Sequence, residues 1–190
     1  MIVGLLLAAG GSRRFGSQKL MTPVRGLPLI RHGAQLLGQT TDHVIAVIGS
    51  DSLVVRAALD GTGAEIVENP EWREGLSTSL RRGVASVSPL AEAVVVALAD
   101  QPDVRPDIVR KLIDVWRQTA HHIVTARYRG VRAPPVLLSR PVFRDVAALV
   151  GDVGAKAIMD QYPDSVVYVD IDADPPKDID SPGDVSGVNS

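Results

Sequence analysis

The chain has 190 residues, 20 Lys and Arg against 22 Asp and Glu, a formal charge of −2 and no cysteine. Its length suits one domain with a sizeable core, expected to span residues 1–190 without an internal linker. The near-neutral charge offers no basic field to nucleic acid, and the lack of cysteine excludes disulfides, thiolate catalysis and Cys-based zinc sites. No run approaches the ~18–20 apolar residues that span a bilayer. The apolar start lacks the basic region of a secretion signal, so a cytoplasmic location away from membranes is expected.

The first predicted strand, residues 2–7, leads into Leu7-Ala8-Ala9-Gly10-Gly11-Ser12-Arg13-Arg14-Phe15-Gly16-Ser17-Gln18-Lys19. Small residues let backbone N–H groups approach a ligand closely, and a turn rich in such groups is an anion site. Arg14 and Lys19 add positive charge there, so the segment reads as a cradle for nucleotide phosphates. It is not a Walker A loop: Gly11 and Gly16 have that spacing, but Ser17 and Gln18 follow instead of Lys and Ser/Thr. Gly10, Gly11 and Gly16 do not fit G-x-G-x-x-G either.

Further strands are predicted at residues 43–48, 64–67, 93–98, 123–126 and 166–169. Several are continuously apolar, as in strands buried on both faces. Helical stripes lie between them, at Leu29/Ile30/Leu36/Leu37, Leu76/Leu80/Val84, Ile108/Val109/Leu112/Ile113/Trp116 and Ala155/Ile158/Met159/Tyr162. The third opens at Pro106, a favoured first helical residue, and Trp116 is read as core. The alternation predicts an α/β domain of three layers with a mostly parallel sheet. Ligands in such sheets bind beyond the carboxyl ends of strands, where the glycine loop lies.

Three more segments carry candidate chemistry. Asp100, in Ala99-Asp100-Gln101-Pro102, follows a buried strand, where it serves either as a turn residue or as a ligand for Mg²⁺, an ion commonly held by one or two carboxylates plus substrate phosphates. Gly75-Leu76-Ser77-Thr78-Ser79 opens a helix, either as a simple cap or as a polar ligand contact centred on Ser79. Gly151-Asp152-Val153-Gly154-Ala155-Lys156 is either a tight turn or a substrate contact through Asp152 and Lys156. The tail is acidic, with Asp170, Asp172, Asp174, Asp178, Asp180 and Asp184, most of them suited to solvated turns. None of the four histidines sits in a catalytic motif.

The glycine loop resembles the L-A-[AG]-G-x-S-x-R-[MF]-G-x-x-K signature of the MobA-like nucleotidyltransferases at every specified position. Asn69 to Gly83 is similar to the N-P-x-W-x-x-G-[ML]-x-x-S-L-x-x-G segment of molybdenum cofactor cytidylyltransferases. Gly151 to Lys156 resembles their G-D-x-G-A-[RK]. Asp178-Ile179-Asp180-Ser181-Pro182-Gly183-Asp184 resembles D-x-D-T-P-E-D, with Ser for Thr and Gly183 for Glu.

The resemblance implies a Rossmann-like nucleotidyltransferase fold of the nucleotide-diphospho-sugar transferase type. It implies Mg²⁺-dependent transfer of CMP from CTP to molybdopterin, releasing pyrophosphate, with a molybdoenzyme as possible recipient of the product. Leu7, Ala8, Ala9, Gly10, Gly11, Ser12, Gly16 and Gln101 would bind nucleotide, and Ser79, Asp152 and Lys156 the acceptor. Arg14, Lys19 and Asp100 would be catalytic. Asp100 and Asp180 would hold the metal, Asp178 being the competitor for the second place. Ala9 and Gln101 stand where the cytidylyl type has them, favouring CTP over GTP. One departure bears on the acceptor: Ala133-Pro134 precede Pro135 where relatives have Gly-His. Another acceptor or GTP, a pigment oxidoreductase using NADPH on the same fold, and a non-catalytic cofactor carrier are the alternatives.

Overall fold

A computed structural model describes residues 1–10, 15, 18–49 and 52–188. Gly11, Ser12, Arg14 and Gly16 lie outside the described residues. The strand β1 (Ile2–Ala8) is buried at every position. Its side chains alternate between two faces, as the period of a strand requires. Ile2, Leu6 and Ala8 join one apolar cluster, whereas Val3, Leu5 and Leu7 join another. A continuously apolar run is therefore what a strand with helices on both sides needs.

A hairpin of β2 (Pro23–Val24) and β3 (Leu27–Pro28) stands apart from the main sheet. Then follow α1 (Leu29–Gly38), β4 (His43–Ile48), α2 (Ser52–Leu59), β5 (Glu65–Glu68), α3 (Leu76–Ser86), β6 (Ala93–Leu98) and α4 (Pro106–Thr119). The chain continues through β7 (Ile123–Tyr128), β8 (Val131–Ser139), α5 (Phe143–Ala147), α6 (Ala155–Gln161), β9 (Val166–Ile171) and α7 (Pro182–Val188). The seven-stranded sheet has the order β5-β4-β1-β6-β8-β7-β9. All its pairings are parallel except the two made by β8.

Helices α1, α2 and α4 cover one face through Leu29, Leu37, Val55, Leu59, Ile108 and Leu112. Helices α3, α5 and α6 cover the other through Leu80, Val84, Val146, Ile158 and Met159. Each fully buried Leu or Ile contributes about 1.5–3 kcal/mol to this three-layer packing. Trp116 is half-buried, packed against the first of these cores.

The six expected strands are present: the first, fifth and sixth run one or two residues longer than predicted, the second and fourth keep their predicted bounds, and the third is shifted by one residue. The prediction missed β8, because Pro134 and Pro135 interrupt its start and proline cannot donate to a ladder. Its apolar half, Val136 to Leu138, pairs antiparallel with β6 and β7. It also missed the helix α2 and the small hairpin. Among the described residues, no helix is long and apolar enough to cross a membrane.

Candidate active site

From β1 the chain steps to β4 and β5 on one side, while β6 and the later strands lie on the other. Because β1 and β6 are parallel neighbours, both release the chain at the same edge. The reversal of direction opens a crevice there, the usual ligand position of such sheets. The Ala99 N–H donates to the Leu7 carbonyl at 3.1 Å, so the two exits are tied together. A cleft of about 620 Å³ occupies this edge, lined by residues 7–10, 15, 19–20, 72–76, 79, 98–100, 152 and 180.

Lys19 lies in a short 3₁₀ turn whose preceding residue, Gln18, accepts a hydrogen bond from the Leu20 N–H. Its Nζ donates to Asp100 Oδ2 at 2.8 Å and to Asp180 Oδ1 at 3.1 Å. Only 12% of the Lys19 side chain is exposed, against 24% and 42% for the two carboxylates. Burial by itself would lower the Lys19 pKa. The charges and hydrogen bonds of Asp100 and Asp180 outweigh that effect and raise it, so the ammonium stays protonated.

Asp180 comes from the segment between β9 and α7, which is docked on the turn after β6. The Ile179 N–H donates to the Asp100 carbonyl at 2.9 Å, and the Ile179 side chain is fully buried. Gln101 Nε2 donates to Asp178 Oδ1 at 2.8 Å. On the other side of Asp180, Asp184 Oδ2 accepts from the backbone N–H groups of Asp180 and Ser181. Burial pushes the Asp178 pKa up, and the charges of Asp100 and Asp180 add to it, against the Gln101 hydrogen bond and Lys19. The two tail candidates are thus separated by geometry. Asp180 lines the cleft beside Asp100, whereas Asp178 turns toward Gln101.

Gln101 is 6% exposed and does not line the cleft. Its side-chain amide is engaged with Asp178.

The opposite wall is built around Asn69. Its Nδ2 donates to Thr78 Oγ1 and Ser79 Oγ, both at 2.9 Å, and its Oδ1 accepts from the Glu71 N–H at 3.0 Å. Ser79 is buried but borders the cleft. Gly75 has φ +116° and ψ 172°, a conformation essentially confined to glycine. There the start of α3 meets the loop before α6. The Asp152 carboxylate accepts from the Leu76 N–H at 3.1 Å, and the Gly151 carbonyl accepts from the Ser77 N–H at 3.3 Å. The first N–H groups of α3 are therefore partnered within the protein, as the capping alternative requires. Asp152 both caps α3 and lines the cleft. Lys156, in the first turn of α6, is exposed and outside the cleft lining.

Sequence reasoning passed over Trp72, Arg73 and Glu74, which also line the cleft. The Arg73 guanidinium lies 4.3 Å from the centroid of the Trp72 ring, a cation–π geometry. The signal was present in the Asn-Pro-x-Trp motif, whose tryptophan was not treated as a wall residue.

Asp100 and Asp180 are directed at one point, where the Lys19 ammonium lies. Among the described residues no group of three or more His, Cys, Asp or Glu could hold a metal ion. Two oxygen donors with phosphates completing the shell are the usual provision for Mg²⁺, so the pair fits that ion in the company of a nucleotide.

Residues 4–166 match the MobA-like NTP transferase domain. The crystal structure of Rv0371c from Mycobacterium tuberculosis H37Rv superposes with a TM-score of 0.86 at 32% identity, over 99% of this chain and 97% of that one. A manganese complex of that protein matches at a TM-score of 0.79 and 33% identity, over 98% and 97% of the two chains. Purine catabolism protein PucB of Bacillus subtilis is 28% identical, over 83% of this chain and 80% of its own. The molybdenum cofactor cytidylyltransferase of Escherichia coli is 27% identical over 72% and 69%, and the guanylyltransferase of Rhodobacter capsulatus 28% over 86% and 87%. A match over most of the chain, on a sheet whose switch-point cleft carries the motif lysine and carboxylates, places this nucleotidyltransferase in the MobA-like NTP transferase domain family.

Proposed function

We propose that the protein transfers CMP from CTP to molybdopterin in a Mg²⁺-dependent reaction and releases pyrophosphate. The observation that carries this reading is the Lys19 ammonium bridging Asp100 and Asp180 in the cleft at the end of β1. An acceptor phosphate oxygen attacks the α-phosphorus in line, the bond from that phosphorus to the β-phosphate bridging oxygen breaks, and pyrophosphate leaves. Such a transfer depends on positioning and charge compensation more than on a protein nucleophile.

Asp100 and Asp180 would hold the metal, which when bound links and neutralises the nucleotide phosphates. Lys19 would contact the α-phosphate. The backbone of residues 10–16 would hold the leaving phosphates and Arg14 would compensate their charge. Leu7, Ala8 and Ala9 form the floor beneath the nucleotide. Ser79, Asp152 and the Trp72–Arg73 pair form the wall offered to the acceptor.

Ala9 favours cytosine: it is 5% exposed and lines the cleft at the loop entrance, narrowing the space a larger purine would need. The guanylyl and purine-catabolism relatives support a second reading, in which GTP or another phosphorylated acceptor is used. Pyrophosphate release across the four NTPs, with and without molybdopterin, separates the two. Release from CTP that requires molybdopterin supports the first. Release from GTP, or only with another acceptor, supports the second.

A further inference from the structure

The proposed metal pair draws Asp180 from a segment with no strand or helix of its own, so something else must fix the carboxylate. We propose that Gln101 and Asp178 form a clasp that positions Asp180 against Asp100. This rests on the metal role proposed for those two carboxylates.

Three observations carry it. Gln101 follows Asp100 directly, and Asp178 stands two residues before Asp180, so one hydrogen bond of 2.8 Å joins the neighbours of both carboxylates. Between them, the Ile179 N–H donates to the Asp100 carbonyl at 2.9 Å and the Ile179 side chain is wholly buried. The clasp and this bond therefore set the register of the two segments from adjacent points. Finally, the Gln101 amide is committed: its Oε1 is buried and has no hydrogen-bond partner among the described residues. Rotating the amide would turn that oxygen toward the Asp178 carboxylate. The enclosed side chain keeps an unpaired carbonyl in order to present its donor, which indicates that the donor matters.

The chemistry of the donor also fits. Lys19 donates to Asp100 and Asp180, and Asp178 feels the charges of all three. A cationic residue at position 101 would bind Asp178 more strongly but would cancel negative charge that a metal ion requires. A neutral amide anchors the segment and leaves that charge intact. Neither Gln101 nor Asp178 lines the cleft, so they are positioning residues.

The test is Mn²⁺ affinity of the purified protein, followed by the loss of the free-ion electron paramagnetic resonance signal. Gln101→Met keeps the length and removes the donor; Asp178→Ala removes the acceptor. Each is expected to weaken Mn²⁺ binding by about tenfold, the lower end for residues that orient metal ligands. Asp178→Asn keeps a carbonyl acceptor for Gln101 without the charge, and its affinity is expected to stay near that of the unmodified protein. The double variant Gln101→Met/Asp178→Ala is expected to be no weaker than either single one, because both remove the same bond. Unchanged affinity in Gln101→Met overturns the clasp. So does an Asp178→Asn variant as weak as Asp178→Ala, which would make the Asp178 charge the active element. If the unmodified protein binds no Mn²⁺, or Asp100→Asn binds it equally well, the metal role itself fails and the clasp falls with it.

Discussion

Replacing Gly75 by alanine tests the junction on which the proposed acceptor wall is built. Gly75 has φ +116° and ψ 172°. A methyl group there would stand 2.6 Å from the carbonyl carbon and oxygen of Gly151 and 2.7 Å from the Asp152 Cα. These are backbone atoms, so no side chain can rotate out of the way. The unfavourable backbone conformation costs about 1–3 kcal/mol and the forced contact about 1–3 kcal/mol. The central sum of about 4 kcal/mol lowers the melting temperature by roughly 8–16 °C for a chain of this size.

Gly61 supplies the control. It also has positive φ, +76°, but nothing lies within 4 Å of an added methyl. Gly61→Ala therefore carries only the conformational cost, about 1–2 kcal/mol. Urea unfolding of both variants measures the difference. Moving the loop at 151–152 also removes the cap that Asp152 provides to the Leu76 N–H, so the KM for the acceptor should rise more than that for the nucleotide. A Gly75→Ala protein no less stable than Gly61→Ala would refute the reasoning.

Other expectations address the cleft and its surroundings. Lys19→Met removes the ammonium that bridges Asp100 and Asp180; turnover should fall about 10²–10³-fold. Added Mg²⁺ should raise the melting temperature of this variant more than that of the unmodified protein, and an equal response contradicts the account. Ala9→Gly should move the kcat/KM ratio toward GTP by up to about tenfold; an unchanged ratio removes Ala9 from base selection. Burial pushes the Tyr128 hydroxyl up to about 12, with Asp107 adding and Arg105 opposing. Its neutral form is favoured by folding, so this contribution is complete below the ordinary tyrosine pKa of about 10 and is lost as pH rises through about 12. Relative to Tyr128→Phe, the unmodified protein should lose stability over that interval in urea titrations, and ionisation of Tyr128 near 10 would count against it.

Much of the layer structure was legible because buried parallel strands are written as unbroken apolar runs, as in residues 2–7 and 93–98. The antiparallel strand β8 was not, since Pro134 and Pro135 mark a break when read locally and only the partners β6 and β7 reveal a ladder. In the cleft, motif residues Lys19, Asp100 and Asp180 could be named from the chain, but their meeting could not: they are separated by 81 and 161 positions from Lys19. Between Asp178 and Asp180 the motif favoured Asp180 but left Asp178 in competition, because two carboxylates two residues apart differ only in which way the docked segment turns them. Gln101 was read as a base contact on motif grounds, and the structure turns it to Asp178. For Asp152 the sequence offered a tight turn or a substrate contact, and neither reading contained the cap it makes to a helix that begins 76 residues earlier.

The central claim is that Asp100 and Asp180 form the metal pair of a nucleotidyl transfer. Pyrophosphate release from CTP and molybdopterin, measured against Mg²⁺ concentration for the unmodified protein, Asp100→Asn, Asp180→Asn and Asp178→Asn, tests it most directly. The account predicts that the first two substitutions raise the Mg²⁺ requirement and depress turnover while the third has a mild effect. Full activity in Asp100→Asn and Asp180→Asn at the Mg²⁺ concentration that suffices for the unmodified protein would contradict it.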